Sequence, residues 1–347
     1  MRNLFWISSL CIIALALWSS CDYKKGSLGS VDRLIALCDS SLWLDIGEEL
    51  ENAIEKEFYT PQPEKVLRMA VKPPASIMDL KRYPNLLVVG TLEMGGTTAD
   101  LLNQLLSEEN RRRVEEDSVF LFKSKDTWAQ DQLLVVLASR NRETLRKHIV
   151  EDGDKIYALF NDHANEMVKE SMYDSYEQKD IENKLLEEHD WMVRVQHDYF
   201  IAVDSAQARV VWLRRLLPER EFLIHWQPSD DPSMLSKEWM LETRERLAED
   251  YYGGDFIERE IIPVRDKEVN FNGRYALRLD GVWQRQDSTT FGGGPFRSYG
   301  FYDEPQGRLY MIDISVFNPG NRKWTFMRQL DVMAHTFRTR YELERSE

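Results

Sequence analysis

Residues 199–227 read YFIAVDSAQARVVWLRRLLPEREFLIHWQ. Three strands can be taken from this stretch: Tyr199–Asp204, Arg209–Leu216 and Phe222–Gln227. A fourth, Trp191–Val195, precedes them. The runs are short and rich in branched and aromatic residues. Connections this short join antiparallel neighbours, whereas parallel strands need a long crossover. Antiparallel runs mixed with helices argue for an α+β fold rather than a doubly wound sheet.

The pattern continues downstream. Ser236–Asp250 reads as a helix, and Ile257–Val264, Tyr275–Trp283, Phe296–Tyr302 and Leu309–Phe317 read as strands. A last helix, Asn321–Arg340, has an apolar face of Trp324, Met327, Leu330, Ala334 and Phe337. Upstream lies a long helical stretch over 141–188, interrupted near Gly153. Residues 151–190 hold thirteen Asp/Glu against four Lys, the pattern of a solvated helix face. The first part reads as strands Arg33–Cys38, Lys65–Val71, Asn85–Leu92, Ser118–Ser124 and Gln132–Ser139, with helices Leu42–Phe58 and Thr97–Asn110. Thr60-Pro61-Gln62-Pro63 stops the first helix, and Thr97 or Thr98 is the expected cap of the second. QLLVVLASRNRETLRKHI and LYMIDISVFNPGNRKWTFMRQLDVMA are both strand, Asn-containing turn and helix, which points to two related lobes. The expected fold is α+β, with mixed and antiparallel sheets and packed helices. Its expected divisions are a signal peptide (1–20), a tether (21–30), an N-terminal α/β lobe (31–190) and a C-terminal β-rich α+β lobe (191–347).

Residues 1–20 differ from the rest. Arg2 is followed by an apolar run, Leu4–Trp18, broken only by Ser8 and Ser9. It falls short of the ~20 residues that a spanning helix needs. A charged start, a short apolar stretch and small residues before a cut site make a secretory signal. Ser19 and Ser20 stand immediately before Cys21, an arrangement that resembles the bacterial lipoprotein signal. On that reading Cys21 is lipidated and becomes the first mature residue. Several acyl chains anchor almost permanently, at ~0.8 kcal/mol per buried methylene. Cys11 leaves with the signal, so Cys38 has no intramolecular disulfide partner and reads as a core thiol.

The chain carries a formal net charge of −14. It lacks the basic footprint of a nucleic-acid binder and gains nothing from anionic headgroups. Nucleic acid is therefore excluded as a partner, and the membrane link is the anchor.

Four runs occur in order behind the signal: Trp128-Ala129-Gln130-Asp131-Gln132, Val211-Trp212-Leu213-Arg214, Gly293-Gly294-Pro295-Phe296, and Arg322-Lys323 with Met327-Arg328-Gln329-Leu330. Together they resemble a family of envelope lipoproteins from Bacteroidetes-type bacteria known as a domain of unknown function. The resemblance covers roughly residues 30–340. It implies an envelope address and a chain of one family, and it implies no activity, ligand or catalytic residue.

Candidate chemistry is sparse. His189-Asp190 and His197-Asp198 could supply zinc or iron ligands if they met. As one strand, the residues between them span roughly 26 Å, too far for one site, so helix-end and turn roles fit better and no metal or other cofactor is expected. His225 at a strand end, followed by Asp230 and Asp231, could do acid–base work, but no nucleophile elbow accompanies them. Gly292, Gly293 and Gly294, among Trp283, Phe291, Phe296 and Tyr299, could form an aromatic rim for a sugar or peptide. No lysine or helix start follows the glycines to make a phosphate cradle.

The reading is a lipid-anchored cell-envelope protein, on the periplasmic or outer side and at the outer membrane. It binds a partner, an envelope protein or a glycan, or supports envelope assembly, without catalysis. The alternatives are a periplasmic hydrolase or metal-dependent enzyme, or a glycan or peptide binder at the Gly-rich loop.

Overall fold

The computed structural model describes residues 24–260, 262–286 and 292–346. The expected signal peptide, Cys21 and Phe291 lie outside the described residues. Two compact units share the chain. One takes the residues up to Gly47 with Ala70–His148, the other Glu48–Met69 with Ile149–Glu347. Residue 190 lies inside the second.

In chain order the first elements are β1 (Arg33–Leu37), α1 (Ser40–Ile54), β2 (Glu57–Phe58), β3 (Glu64–Lys65), β4 (Arg68–Lys72), α2 (Ile77–Leu80), β5 (Asn85–Thr91), α3 (Gly96–Leu105), α4 (Glu108–Glu115), β6 (Leu121–Lys125) and β7 (Leu133–Ser139). The first unit is built on a five-stranded sheet, ordered β4-β1-β5-β7-β6. Strands β1, β5 and β7 run parallel, and β6 is antiparallel to β7. Every residue of β5 and β7 is buried, which is why both read as unbroken apolar runs. Leu101, Leu102, Leu106 and Val114 pack with Ile35, Leu86, Val88, Leu134 and Val136 in one core. The single helix expected over 97–110 is two helices. Ser107 ends the first stretch and caps the next, its hydroxyl accepting from the Asn110 amide at 3.2 Å. Neither threonine caps α3: Gly95 does, and the Thr98 hydroxyl donates to Asp39. Cys38 is buried, and burial pushes its thiol up to about 12, so it is inert core.

The remaining elements are α5 (Arg142–Tyr173), α6 (Lys179–His189), β8 (Trp191–Met192), β9 (Phe200–Ser205), β10 (Val210–Arg215), β11 (Glu219–Pro228), α7 (Lys237–Tyr251), β12 (Phe256–Glu258), β13 (Arg265–Phe271), β14 (Arg274–Gln284), β15 (Gly293–Asp303), β16 (Arg308–Phe317), α8 (Trp324–Ala334), β17 (Arg338–Thr339) and α9 (Arg340–Ser346). Helix α5 bends at Asp152, beside Gly153. An eight-stranded sheet, β12-β14-β15-β16-β11-β10-β9 with β13 also on β14, forms the second unit. Every pairing in it is antiparallel. Three expectations change. Only Trp191–Met192 of the first expected strand is paired, with β17. The strand expected over 257–264 is cut to Phe256–Glu258, and charged RDKEVNF forms β13. The last helix stops at Ala334. The fold is α+β, as the antiparallel runs implied. Among the described residues, no helix is long and apolar enough to cross a membrane.

Candidate functional site

Side chains two residues apart on a strand share a face, and register aligns them across strands. One row of the large sheet runs Leu277, Gly300, Met311, His225, Val210; the next runs Leu279, Ser298, Asp313, Leu223, Trp212; the next runs Gly281, Phe296, Ser315, Glu221, Arg214. Helix α7 covers the first two. Its buried positions Met240, Thr243, Arg244, Leu247 and Ala248 recur at helical spacing. The approach is close: a Cβ on Gly300 would sit 2.7 Å from Met240 Sδ. Beyond Tyr251 the helix ends, and the outer rows line a cleft of about 390 Å³ with Tyr251, Tyr252 and Asp255.

Arg244 is the centre of this cleft's wall. The side chain is 2% exposed, and its guanidinium stacks 3.9 Å above the Phe296 ring. Its Nε donates to Asp313 Oδ1 at 3.1 Å. Ser298 Oγ donates to the same oxygen at 2.5 Å, and the Tyr252 hydroxyl donates to Oδ2 at 3.4 Å. Burial raises both the Asp313 carboxyl and, strongly, the Tyr252 hydroxyl. Two donors on the cleft have no partner among the described residues. They are Arg244 Nη1 and Trp283 Nε1, both shut off from bulk water. A buried donor without an acceptor costs about 1–3 kcal/mol, more when charged, and such atoms are few in native proteins.

Opposite them stand carboxyls in a dry setting. Glu221 accepts from Trp212 Nε1 at 2.7 Å and from Arg214 Nε at 3.0 Å, yet burial still raises it above the usual range. Burial likewise raises Asp255. The Arg285 guanidinium lies 4.1 Å from the Phe317 ring centre, and its Nη2 reaches Glu219 at 3.4 Å. Hydrogen-bond donors, carboxyls and aromatic faces therefore converge on one concavity of ligand size.

Of the described residues of the anticipated rim, only Trp283 lines this cleft. Phe296 lies beneath Arg244. Gly293 and Gly294 begin β15, where a Cβ would meet Trp283 O at 2.4 Å and Val316 O at 1.9 Å; Gly292 abuts the Phe317 ring. The glycines thus serve close backbone packing. Tyr299 belongs to the opposite face, its hydroxyl donating to Asp331 Oδ1 at 2.6 Å.

The other anticipated groups have separate partners. His225 is buried, with Nδ1 2.9 Å from Arg209 O and Nε2 3.2 Å from Arg246 Nη2. Burial and the Arg246 charge lower it to about 4. Asp230 and Asp231 lie in the exposed turn after β11, where Asp231 Oδ1 accepts from the Ser233 amide at 2.9 Å. His189 Nε2 lies 2.8 Å from Asp204 Oδ1, and Glu188 completes a possible ligand trio. Lys184 pairs with both carboxylates there, which makes it an ion-pair cluster. Asp190 ends α6 at φ 64° and accepts from Arg340 Nε at 2.8 Å. His197 meets only its neighbour Asp198, at 2.8 Å, while Arg215 reaches Asp198 at 3.4 Å.

Arg244, Glu221, Asp255 and Arg285 were not anticipated. Arg244 had a readable signal: it is a charge inside the apolar stripe of α7. Asp313 is its counterpart, a charge inside the apolar run LYMIDISVF.

Two family models match the chain. Domain of unknown function (DUF8532) covers residues 27–173, and Domain of unknown function (DUF4837) covers residues 178–336. The chain therefore carries domains of unknown function, as the resemblance implied, but two models divide it where the resemblance implied one family. No curated protein matches it. Solved structures similar to part of it include LpqN, involved in cell envelope biogenesis of Mycobacterium tuberculosis, at 11% identity over 42% of this chain and 81% of that one, with a TM-score of 0.29. The Saccharomyces cerevisiae Ran-binding protein Mog1p matches at 10% identity over 44% and 90%, TM-score 0.32. A structure from Bacteroides thetaiotaomicron VPI-5482 matches at 9% over 44% and 45%, TM-score 0.26.

Proposed function

We propose that this chain, matched along most of its length by two domains of unknown function, is a lipid-anchored envelope protein that binds a glycan without transforming it. The Cys21 signal supports the address. The cleft at the end of α7 supports the binding. The observation that carries the reading is that Arg244 and Trp283, whose Nη1 and Nε1 are buried without a partner among the described residues, both line that one cleft. A hydroxyl-rich ligand supplies the acceptors both lack. It also offers donors to Asp255 and a ring face to Trp212 or Phe317.

A thermal-shift panel of neutral and N-acetylated oligosaccharides tests this. A binder present at a hundred times its Kd stabilises the protein by about 2.7 kcal/mol. At least one sugar is expected to raise Tm and be recovered intact, and Trp283→Phe is expected to weaken the response. A panel with no stabilising sugar contradicts the reading. A second reading, hydrolysis, draws on the raised Glu221 and Asp255 carboxyls. Sugar cleavage abolished by Asp255→Asn would establish it instead.

A further inference from the structure

The opposite face of the same sheet lines a second cleft, of about 440 Å³. Register places Arg265, Asp280 and Arg297 in one cross-strand row, and Lys267, Arg278 and Tyr299 in the next. Tyr157 and Asn161 of α5 and Trp324 and Asp331 of α8 complete the lining.

The three aspartates of this lining are already matched. Asp280 Oδ1 accepts from Arg297 Nε at 2.6 Å, and Asp331 Oδ1 lies 3.0 Å from Arg297 Nη1. That oxygen also accepts from the Tyr299 hydroxyl. Arg278 Nε stands 2.9 Å from Asp280 Oδ2, so two guanidiniums share one carboxylate. Asp266, between Arg265 and Lys267, is paired with Lys237 Nζ at 2.6 Å. At the rim, Lys56 is paired with Asp154 at 3.2 Å, and Glu57 is exposed.

Positive charge remains. Arg265 lies over the Tyr59 ring, 3.3 Å from its centre, and donates to the Tyr59 hydroxyl. Among the described residues, neither Arg265 nor Lys267 forms an ion pair. Lys267 stands directly across from Arg278, and like charges so placed destabilise a sheet. In a chain of net charge −14, the lining of this concavity thus holds five cations against four carboxylates, with Arg265 and Lys267 outside any ion pair among the described residues. A bound anion would turn that repulsion into attraction.

We propose that this cleft binds the oxyanion, carboxylate or phosphate, of a small ligand. Arg278 and Lys267 grip it, Arg265 draws it in at the mouth, and the Tyr157 hydroxyl and Asn161 amide add neutral donors. The guanidinium fork matches either oxyanion. The inference is independent of the glycan cleft, which lies on the other face of the sheet.

The purified full chain should be titrated with inorganic phosphate, glucuronate and glucose at constant ionic strength, following Tm. A saturable rise with phosphate alone identifies a phosphate ligand, and one with glucuronate alone a carboxylate ligand. A rise with both leaves the oxyanion itself as the determinant. Any rise with glucose should be unaffected by Arg278→Gln. Arg278→Gln should weaken the apparent affinity about tenfold or more, the loss of one charge-assisted pair. Lys267→Gln, at an exposed edge position, should weaken it and also raise Tm without ligand. Trp283→Phe should leave the anion response intact. The proposal is overturned if neither anion gives a saturable rise, or if both cation variants respond to the anions like the parent.

Discussion

The His225 ring is held on both sides, by the Arg209 carbonyl at Nδ1 and the Arg246 guanidinium at Nε2. The carbonyl takes the proton of Nδ1, and the guanidinium donates to the lone pair of Nε2, which fixes one neutral tautomer. With a folded value of about 4 and an unfolded one near 6.5, the fold refuses a proton that the unfolded chain accepts. Stability from this group is complete above about pH 6.5 and is lost as pH falls to about 4, by about 3 kcal/mol. Urea unfolding at pH 7, 5.5 and 4 should show that slope, flattened in His225→Gln; an equal slope in both proteins would refute it. A histidine at a strand end was legible as a titratable group. That it serves as a fixed neutral post was not, because its partners come from the turn before β10 and from α7. Trp283 was legible through its aromatic and glycine neighbours. Its companion Arg244 left a signal, a charge in the buried stripe of α7, that was not read.

At the level of elements, buried strands were easiest to read. Strands β5 and β7 are covered on both faces, so apart from Asn85, Thr91 and Ser139 at their ends their sequence is apolar. Strand β13 carries four charges and is exposed along most of its length, because it pairs on one side only. Its period is invisible in the sequence, so the cationic rows it completes could not be foreseen. The split between α3 and α4 was missed because Ser107 is a cap only when the chain turns there. Helix α7 presses on the sheet through Gly300, where a Cβ would also come within 2.9 Å of Leu235 Cδ1. Overpacking of this kind costs about 1–3 kcal/mol. Gly300→Val should lower the urea midpoint accordingly with an unchanged m value; an unaltered midpoint would show that α7 does not seat this closely.

For the whole molecule, charge and address are separate matters. An acidic chain has no electrostatic attraction for anionic headgroups, so the membrane attachment proposed above rests on Cys21. Cys21→Ala should move the protein from the membrane fraction to the soluble one, or leave an unprocessed precursor; unchanged membrane recovery and processing would refute the anchor. The α+β class followed from the antiparallel runs around residues 199–227. The composite make-up of the two units did not, because residues 48–69 join the second unit from within the span of the first, and periodicity carries no information on such long-range returns. Two open concavities on one sheet fit a chain built to hold ligands.

The central claim rests on the indole N–H of Trp283, which has no acceptor among the described residues. Proton–nitrogen spectra of the indole groups, assigned with Trp283→Phe and recorded while an oligosaccharide selected by thermal shift is added, test it most directly. A saturable downfield shift of the Trp283 resonance, following the same binding curve as Tm, is the predicted result. A Trp283 resonance that stays fixed while the sugar stabilises the protein would place the ligand elsewhere and contradict the account.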